Sequence, residues 1–200
     1  MPDDFYIPRT LESAGRNFTE VELLENQGVI VVLAEPGAGK TDLLKSFAAQ
    51  LGVVSERASI FKERSNITQV ENLILDAFDE VAKLDQTAVD RIVVRARETE
   101  ARRVILASRS SEWEEARSKF VEECFGKKPI IIKLLPLDEL QQRAIFENHV
   151  PSEDFELFKS EVERFDLLPL LGNPQFLKLF ADSFVEGGRK FTSKNAIFQD

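Results

Sequence analysis

The sequence has 200 residues, of which 43% are hydrophobic and 30% are charged, as in an ordinary soluble globular protein. One cysteine, Cys124, excludes an intramolecular disulfide, and with the one histidine, His149, it cannot form a Cys/His zinc site. The net charge of −9, from 35 acidic and 26 basic residues, argues against a chain whose main work is to neutralise nucleic-acid phosphates.

The sequence also carries no signal for a membrane or for export. No apolar run approaches the roughly 20 residues that span a bilayer. The first residues, Met1 to Asp4, lack the basic region of a signal peptide. We therefore predict a cytoplasmic protein without membrane contact, in which Cys124 is a buried thiol with a raised pKa and His149 lies at a surface or at a helix end.

Short apolar runs alternate with longer amphipathic stretches over the first two thirds of the chain. Val29 to Leu33 is unbroken and β-branched, which is typical of a strand covered on both faces. Further runs lie at residues 52–61, where polar residues interrupt it, and at 73–75, 104–107 and 129–134. Helical patterns cover residues 41–51, 86–100 and 111–125. This alternation predicts an α/β domain with a parallel sheet and helices on both faces.

After residue 135 the patterns are helical only. A capping box at Asp138 and Gln141 predicts a helix to about residue 148, and Ser152 is the expected cap of the next helix, to about residue 165. Asn173 followed by Pro174 predicts the start of a third helix that ends before residue 187. We predict an α/β domain over residues 1–135 and a small helical domain over 136–200, as a piece of a longer protein.

The strongest chemical signal is a glycine-containing loop, Ala34 to Thr41, between the first buried strand and a helix. Glycines let backbone N–H groups curl around an anion, and the helix N-terminus adds partial positive charge. Lys40 is expected to reach the β- and γ-phosphates of a nucleotide, and the Thr41 hydroxyl to bind Mg²⁺. The strict pattern has glycine at the position of Ala34.

Acidic residues follow the apolar run at 73–75. In a parallel sheet Asp76 would lie beside the phosphate loop, where it could hold the water shell of Mg²⁺ against Thr41. Asp79 or Glu80 would then orient or deprotonate the attacking water. The alternative is that these acids only complement the dipole of a helix N-terminus.

The run at residues 104–107 ends in Ser108 and Arg109. Ligands of open α/β sheets bind outside the carboxyl ends of the strands, so Arg109 is placed to sense the γ-phosphate. A plain surface arginine is the alternative. Trp113, four residues on, is expected to pack on a helix rather than to stack on a base.

Four segments, in this order, resemble the nucleotide-binding module of STAND-class P-loop NTPases, most closely the NACHT family in its bacterial forms. They are Glu35 to Thr41, Leu73 to Glu80, Ala107 to Arg109, and Leu171 to Pro174. The resemblance implies a three-layer P-loop NTPase fold with strand order 5-1-4-3-2. It implies that Pro174 packs near the adenine and that Ile7, Pro8 and Arg9 lie along the base and ribose. The alternative for these three residues is an arm that only docks on the domain.

The complete predicted site combines these assignments. Catalytic roles fall to Lys40, Asp79, Glu80 and Arg109; metal binding falls to Thr41 and Asp76; nucleotide contacts come from Pro36, Gly37, Ala38, Gly39, Lys40, Thr41, Asp42, Ile7, Pro8, Arg9 and Pro174.

The predicted function is a Mg²⁺-dependent molecular switch that binds ATP and hydrolyses it slowly. The resemblance implies a homo-oligomer in the activated full-length protein, sensor and effector domains outside this chain, and a role in bacterial antiphage defence. One alternative is an AAA+-like ATPase that remodels nucleic acid or protein, although the acidic charge makes nucleic acid an unexpected partner. A small-molecule kinase and a scaffold that holds ADP without hydrolysis also stay open, as does the choice between ATP and GTP.

Overall fold

The computed structural model describes residues 5–78, 80–81 and 86–191. The chain divides into two compact units. The α/β unit consists of residues 8–36 and 40–135, and the helical unit of residues up to 7, residues 37–39 and residues from 136 onward.

The α/β unit carries all strands of the described residues. They are β1 Leu11–Ser13, β2 Arg16–Phe18, β3 Gly28–Leu33, β4 Glu56–Arg57, β5 Asn72–Asp76, β6 Arg103–Ser108 and β7 Ile130–Leu134. Its helices are α1 Glu20–Leu24, α2 Lys40–Leu51, α3 Ala58–Phe61, α4 Gln86–Glu98 and α5 Glu115–Phe125, with a 3-10 turn at Ser110–Glu112.

These strands form one sheet in the order β2-β1-β7-β3-β6-β5-β4. The five strands β3 to β7 are parallel to one another, and their order, counted along the chain, is the predicted 5-1-4-3-2. The complete sheet is larger than predicted, because the antiparallel hairpin β1–β2 joins it at β7 through Leu11 and Leu134. The predicted P-loop NTPase fold class is thus confirmed, with two additional strands at one edge.

The hairpin was not predicted from the sequence, because its three-residue strands are too short to show the alternation of apolar and polar residues that is typical of a strand. Its turn residues are Ala14 and Gly15, with φ of 50° and 81°. Positive φ at both positions is the requirement of a two-residue hairpin turn, and an alanine at the first of them is a weak signal in sequence.

Strand β3 lies in the middle of the sheet, and its residues Val29 to Leu33 are buried. The apolar core packs on it, with Leu75, Ile92 and Leu106 among its members. Two predicted elements differ from the structure. The run at 52–61 gives only the two-residue β4, because Ala58 and Phe61 turn inward on the short helix α3, and helix α5 starts at residue 115 rather than 111.

The helical unit contains α6 Glu139–His149, α7 Phe155–Glu163 and α8 Pro174–Glu186, with a 3-10 turn at Leu168–Gly172. Buried phenylalanines form its core, among them Phe146, Phe158, Phe180 and Phe184.

The predicted caps of α6 and α8 are confirmed. Asp138 accepts a hydrogen bond from the Gln141 N–H at 2.9 Å, and the Asn173 side chain caps α8. The cap predicted for α7 is wrong: Asp154, not Ser152, accepts from the Leu157 N–H, at 2.9 Å. A longer loop separates α6 from α7, so the helix begins two residues later than the pattern indicated.

Within the described ranges, no helix combines the length and the apolar character needed to cross a membrane.

Candidate functional site

The loop between β3 and α2 has the backbone of an anion-binding turn. Gly37 and Gly39 have φ of 73° and 92°, values that strain any residue with a side chain. Helix α2 begins directly after them, at Lys40. Backbone N–H groups of such a turn and of the helix start point at a bound anion. These φ values fit a phosphate loop, and the binding of phosphate there stays a prediction.

Ala34, where the strict loop pattern has glycine, fits this backbone without strain. It does not belong to the described residues with positive φ, and its N–H continues the sheet by donating to the Ser108 carbonyl oxygen at 3.3 Å. Its own carbonyl accepts a hydrogen bond from Lys40 Nζ at 3.0 Å. This bond uses one of three ammonium donors and holds the Lys40 side chain back along its own loop.

The two predicted magnesium ligands lie next to each other. Thr41 Oγ1 donates a hydrogen bond to Asp76 Oδ2 at 2.9 Å, and the other carboxylate oxygen, Oδ1, accepts from the Ala77 N–H at 2.7 Å. The first turn of α2 supplies the hydroxyl and the carboxyl end of β5 supplies the carboxylate. Parallel strand topology thus brings together two oxygens that lie far apart in the sequence.

This pair fits Mg²⁺, which prefers hard oxygen ligands in an octahedron of about 2.0–2.1 Å radius. Two neighbouring corners of such an octahedron are about 2.9 Å apart, from that radius. The separation of Thr41 Oγ1 and Asp76 Oδ2 is 2.9 Å. The donor chemistry and the spacing therefore both match the ion.

The chain turns sharply after Asp76. Ala77 has φ of 56°, in the left-handed region, and Phe78 follows it into the core, fully buried. Glu80 is exposed, and its N–H donates to the Ala77 carbonyl at 3.2 Å. Asp79, the other predicted water-activating acid, lies outside the described residues.

Arg109 follows the strand that lies between β3 and β5. In the register of the sheet, Ser108 pairs with Leu33 and Leu106 pairs with Leu75. All three strands run parallel, so the phosphate loop, the Asp76 turn and Arg109 leave the sheet at the same edge. Arg109 is half-buried there.

Trp113 contacts the segment after β5, a juxtaposition that sequence analysis missed. Its ring centroid lies 5.8 Å from that of Phe78, and its Nε1–H donates to Ser118 Oγ at 2.9 Å. The predicted packing role for Trp113 is confirmed, although the residue lies between the 3-10 turn and α5 rather than on a helix. The signal in the sequence that could have placed Trp113 near the site is its closeness to Arg109, four residues before it.

Arg9 is held by structural contacts in the α/β unit. The side chain is 7% exposed and Nη2 donates to the Leu135 carbonyl at 2.8 Å, while its backbone N–H donates to Glu20 Oε1 at 2.8 Å. Pro8, ahead of it, is exposed, and Ile7 is half-buried. Contacts of these three residues with a nucleotide remain a prediction.

Glu20 is a residue that sequence analysis missed. It is 6% exposed and accepts from Arg9 N–H, and its second oxygen accepts from Ser46 Oγ at 2.8 Å and from Gln50 Nε2 at 3.2 Å. Ser46 and Gln50 belong to α2, the helix that the phosphate loop opens. The buried carboxylate therefore joins the segment of Arg9 to that helix.

Two further residues of the predicted nucleotide site, Asp42 and Pro174, lie at the starts of helices. Asp42, in the first turn of α2, accepts from Lys45 Nζ at 3.4 Å on the protein surface. Pro174 is the first residue of α8. Just ahead of it, Gly172 leaves no room for a side chain, because a Cβ there would lie 2.8 Å from Pro136 Cβ.

A family model described as Novel STAND NTPase 3 matches residues 18–152. No curated protein matches the sequence significantly. Two of the solved structures that are similar to the chain show the likeness. The Thermotoga maritima RuvB P216G mutant has a TM-score of 0.51 at 15% identity, covering 86% of this chain and 61% of that one. A DNA replication initiation factor has a TM-score of 0.50 at 19% identity, covering 85% and 60%. The chain thus spans about three fifths of their lengths, and the likeness at these identities concerns the fold.

Proposed function

Because the chain belongs to the Novel STAND NTPase 3 family, we propose that it is a Mg²⁺-dependent ATPase of slow turnover that works as a molecular switch. The STAND class of P-loop NTPases predicted from the sequence is confirmed, and the chain is a STAND-type P-loop NTPase module. The closer resemblance to the NACHT family remains a prediction.

The observation that carries the proposal is the 2.9 Å contact between Thr41 Oγ1 and Asp76 Oδ2. It supports a Mg²⁺ site formed by the first turn of α2 and the end of β5, beside the glycines of the phosphate loop. Bound there with a nucleotide, Mg²⁺ supplies positive charge to the phosphate oxygens. Thr41 and Asp76 would hold it.

The chain's own groups have these roles in the proposed reaction. Lys40 binds the β- and γ-phosphates and offsets their charge, and Arg109 contacts the γ-phosphate from the end of β6. Glu80 or Asp79 accepts a proton from water as the water oxygen bonds to the γ-phosphorus. The bond from that phosphorus to the oxygen it shares with the β-phosphate breaks, which leaves ADP and inorganic phosphate.

The test measures binding and hydrolysis separately in purified protein. Equilibrium dialysis with radiolabelled ATP and Mg²⁺ is expected to show one site, and Lys40→Ala to weaken it at least about 10-fold. Lys45→Ala is the matched control, because Lys45 is an exposed lysine on the same helix. Binding by Lys40→Ala at the strength of the wild type would overturn the proposed site.

Glu80→Gln addresses the water-activating role. It is expected to bind ATP as the wild type does and to release phosphate at least about 10-fold more slowly. Unchanged phosphate release would assign that role to Asp79, which Asp79→Asn then tests. Absence of phosphate release from the wild type, with binding intact, would support the scaffold that only holds nucleotide.

We further propose that nucleotide state controls self-association and effector activation in the full-length protein, in bacterial antiphage defence. Light scattering with ADP and with a non-hydrolysable ATP analogue tests the self-association. An AAA+-like remodeller would instead show phosphate release that rises on addition of DNA and falls with salt. Competition between unlabelled ATP and GTP in the dialysis assay decides the preferred base.

A further inference from the structure

Two loops of the candidate site are joined by a compact group of side chains, Phe78, Trp113 and Arg117, which we call the ring cluster. The Phe78 and Trp113 rings are 5.8 Å apart at an interplanar angle of 45°. The guanidinium carbon of Arg117 lies 5.8 Å from the Trp113 ring centroid and 6.0 Å from that of Phe78. At these distances a cation is attracted to the faces of both rings.

Phe78, the first member of the ring cluster, follows the turn that carries the predicted metal ligand Asp76. Phe78 lies two residues after Asp76 and is fully buried, and the residue between them, Ala77, has the strained φ of 56°. The Ala77 N–H donates to Asp76 Oδ1 at 2.7 Å. Burial of Phe78 therefore favours the turn that orients the Asp76 carboxylate and that leads on to Glu80.

Trp113, the second member, is linked to Arg109 through the backbone. Trp113 follows the 3-10 turn Ser110–Glu112, which begins directly after Arg109. The Glu112 N–H donates to the Arg109 carbonyl at 3.1 Å, and the Trp113 Nε1–H donates to the buried Ser118 at 2.9 Å. The indole is thereby held through its nitrogen, and its backbone continues from the turn that Arg109 opens.

The third member connects these parts to helix α5. Arg117 lies in the first turns of α5, and its Nη1 donates to the Glu112 carbonyl oxygen. One guanidinium thus contacts both rings and the backbone of the 3-10 turn. It is half-buried, where such contacts are screened less than at an open surface.

We propose that the ring cluster is a positioning device that couples the turn at Asp76, Ala77 and Phe78 to Arg109, with Trp113 as its central residue. The proposal deepens the proposed function, on which it rests. Phe78 belongs to the core and Trp113 packs against that core. Because packed interiors transmit strain, a shift of either loop is transmitted to the other. The groups that meet the metal and the groups that meet the γ-phosphate therefore take up the hydrolysing geometry as one unit.

Trp113 can also serve as a fluorescent probe of this motion. It is the one tryptophan in the sequence. Its fluorescence is therefore assigned without ambiguity. We expect its emission to change when ATP and Mg²⁺ are added to the full chain, with the same saturation curve as equilibrium dialysis gives. ATP without Mg²⁺ is expected to give a smaller change, because the Asp76 turn then lacks its ion.

The kinetic test separates positioning from binding. Trp113→Ala is expected to lower kcat about 10-fold while the dissociation constant for ATP with Mg²⁺ stays within about twofold, as for a loss of alignment at the reacting atoms. Trp113→Phe keeps a ring against Phe78 and is expected to recover most of kcat. Phe125→Ala is the matched control, an aromatic residue of the same core at the far end of α5.

Arg117→Ala keeps Trp113 as the probe and tests the cluster without truncating an aromatic ring. It is expected to reduce the fluorescence response to ATP with Mg²⁺ and to lower kcat, while Arg117→Lys restores part of both. Since it changes a half-buried side chain, this variant is informative even if Trp113→Ala fails to fold.

The outcomes are distinct. The coupling would be overturned if Trp113→Ala and Phe125→Ala lost equal amounts of kcat, or if the Trp113 emission did not change when nucleotide binds. Neither result would contradict the proposed function. Wild-type protein that binds no nucleotide in dialysis would overturn the proposed function and the coupling with it. A selective loss of kcat in Trp113→Ala, recovered in Trp113→Phe, would support both.

Discussion

Removal of the Glu20 carboxylate tests whether this buried acid stabilises the α/β unit. The side chain is 6% exposed and accepts hydrogen bonds from the Arg9 N–H, Ser46 Oγ and Gln50 Nε2, at 2.8, 2.8 and 3.2 Å. Glu20→Ala removes all three acceptor contacts and leaves the Arg9 N–H inside the protein. Glu20→Gln has nearly the same shape and keeps one acceptor oxygen.

The size of the loss follows from the number of contacts. A hydrogen bond to a charged group contributes about 1.5–3 kcal/mol to stability, and bonds within one network do not add fully. We therefore expect Glu20→Ala to lower the free energy of unfolding by about 3–5 kcal/mol. Glu20→Gln can still accept from Arg9 N–H, and with its amide facing the Gln50 amide the expected loss is about 1–2 kcal/mol.

Urea unfolding, followed by far-ultraviolet circular dichroism and by Trp113 fluorescence, measures these losses. Trp113 reports the α/β unit alone. Glu25→Gln, an exposed acid at the end of the same helix, is the control and is expected to change the free energy of unfolding by less than about 0.5 kcal/mol. A loss below about 1 kcal/mol for Glu20→Ala would show that the network contributes little and would refute this estimate.

Three further changes test other parts of the molecule. Gly172→Ala would place a Cβ 2.8 Å from Pro136 Cβ, so we expect about 1–3 kcal/mol of destabilisation, seen as a lower Tm; an unchanged Tm would mean that the chain relaxes there. Burial raises the pKa of the Cys124 thiol, so at neutral pH the thiolate fraction is small and alkylation by iodoacetamide should be slower than in urea, rising with alkaline pH. Equal rates in both solvents would contradict that environment. Thr41→Val should abolish the tightening of ATP binding by Mg²⁺ in titration calorimetry, whereas Thr41→Ser should keep it; a retained Mg²⁺ effect in Thr41→Val would leave Asp76 as the sufficient ligand.

Much of the fold could be predicted because its signals are local. The run Val29 to Leu33 has no polar interruption, and a strand of that composition must be covered on both faces. The helix that starts at Pro174 is announced by the cap before it, since Asn173 satisfies an N–H that no helical carbonyl can reach. Lys40 and Thr41 were recognisable for the same reason, because the loop and the helix start that position them are contiguous in sequence.

Errors arose where competing local solutions differ by little. Ser152 and Asp154 are both good cap residues, and the length of the loop after α6 decides for Asp154. The region 52–61 contains apolar residues that suit a strand or a short helix. The core accepts Ala58 and Phe61 from a helical turn, so the strand there is only two residues long.

The sequence by itself determined the class of this protein and predicted the phosphate loop with the acids and cations around it, because each depends on residues within one strand, loop and helix start. Only the tertiary structure decided which distant side chains meet. The Glu20 network reaches Ser46, 26 positions along the chain, and the ring cluster brings Trp113 onto Phe78. Such contacts depend on strand order and on the space left between packed elements, which no local pattern encodes.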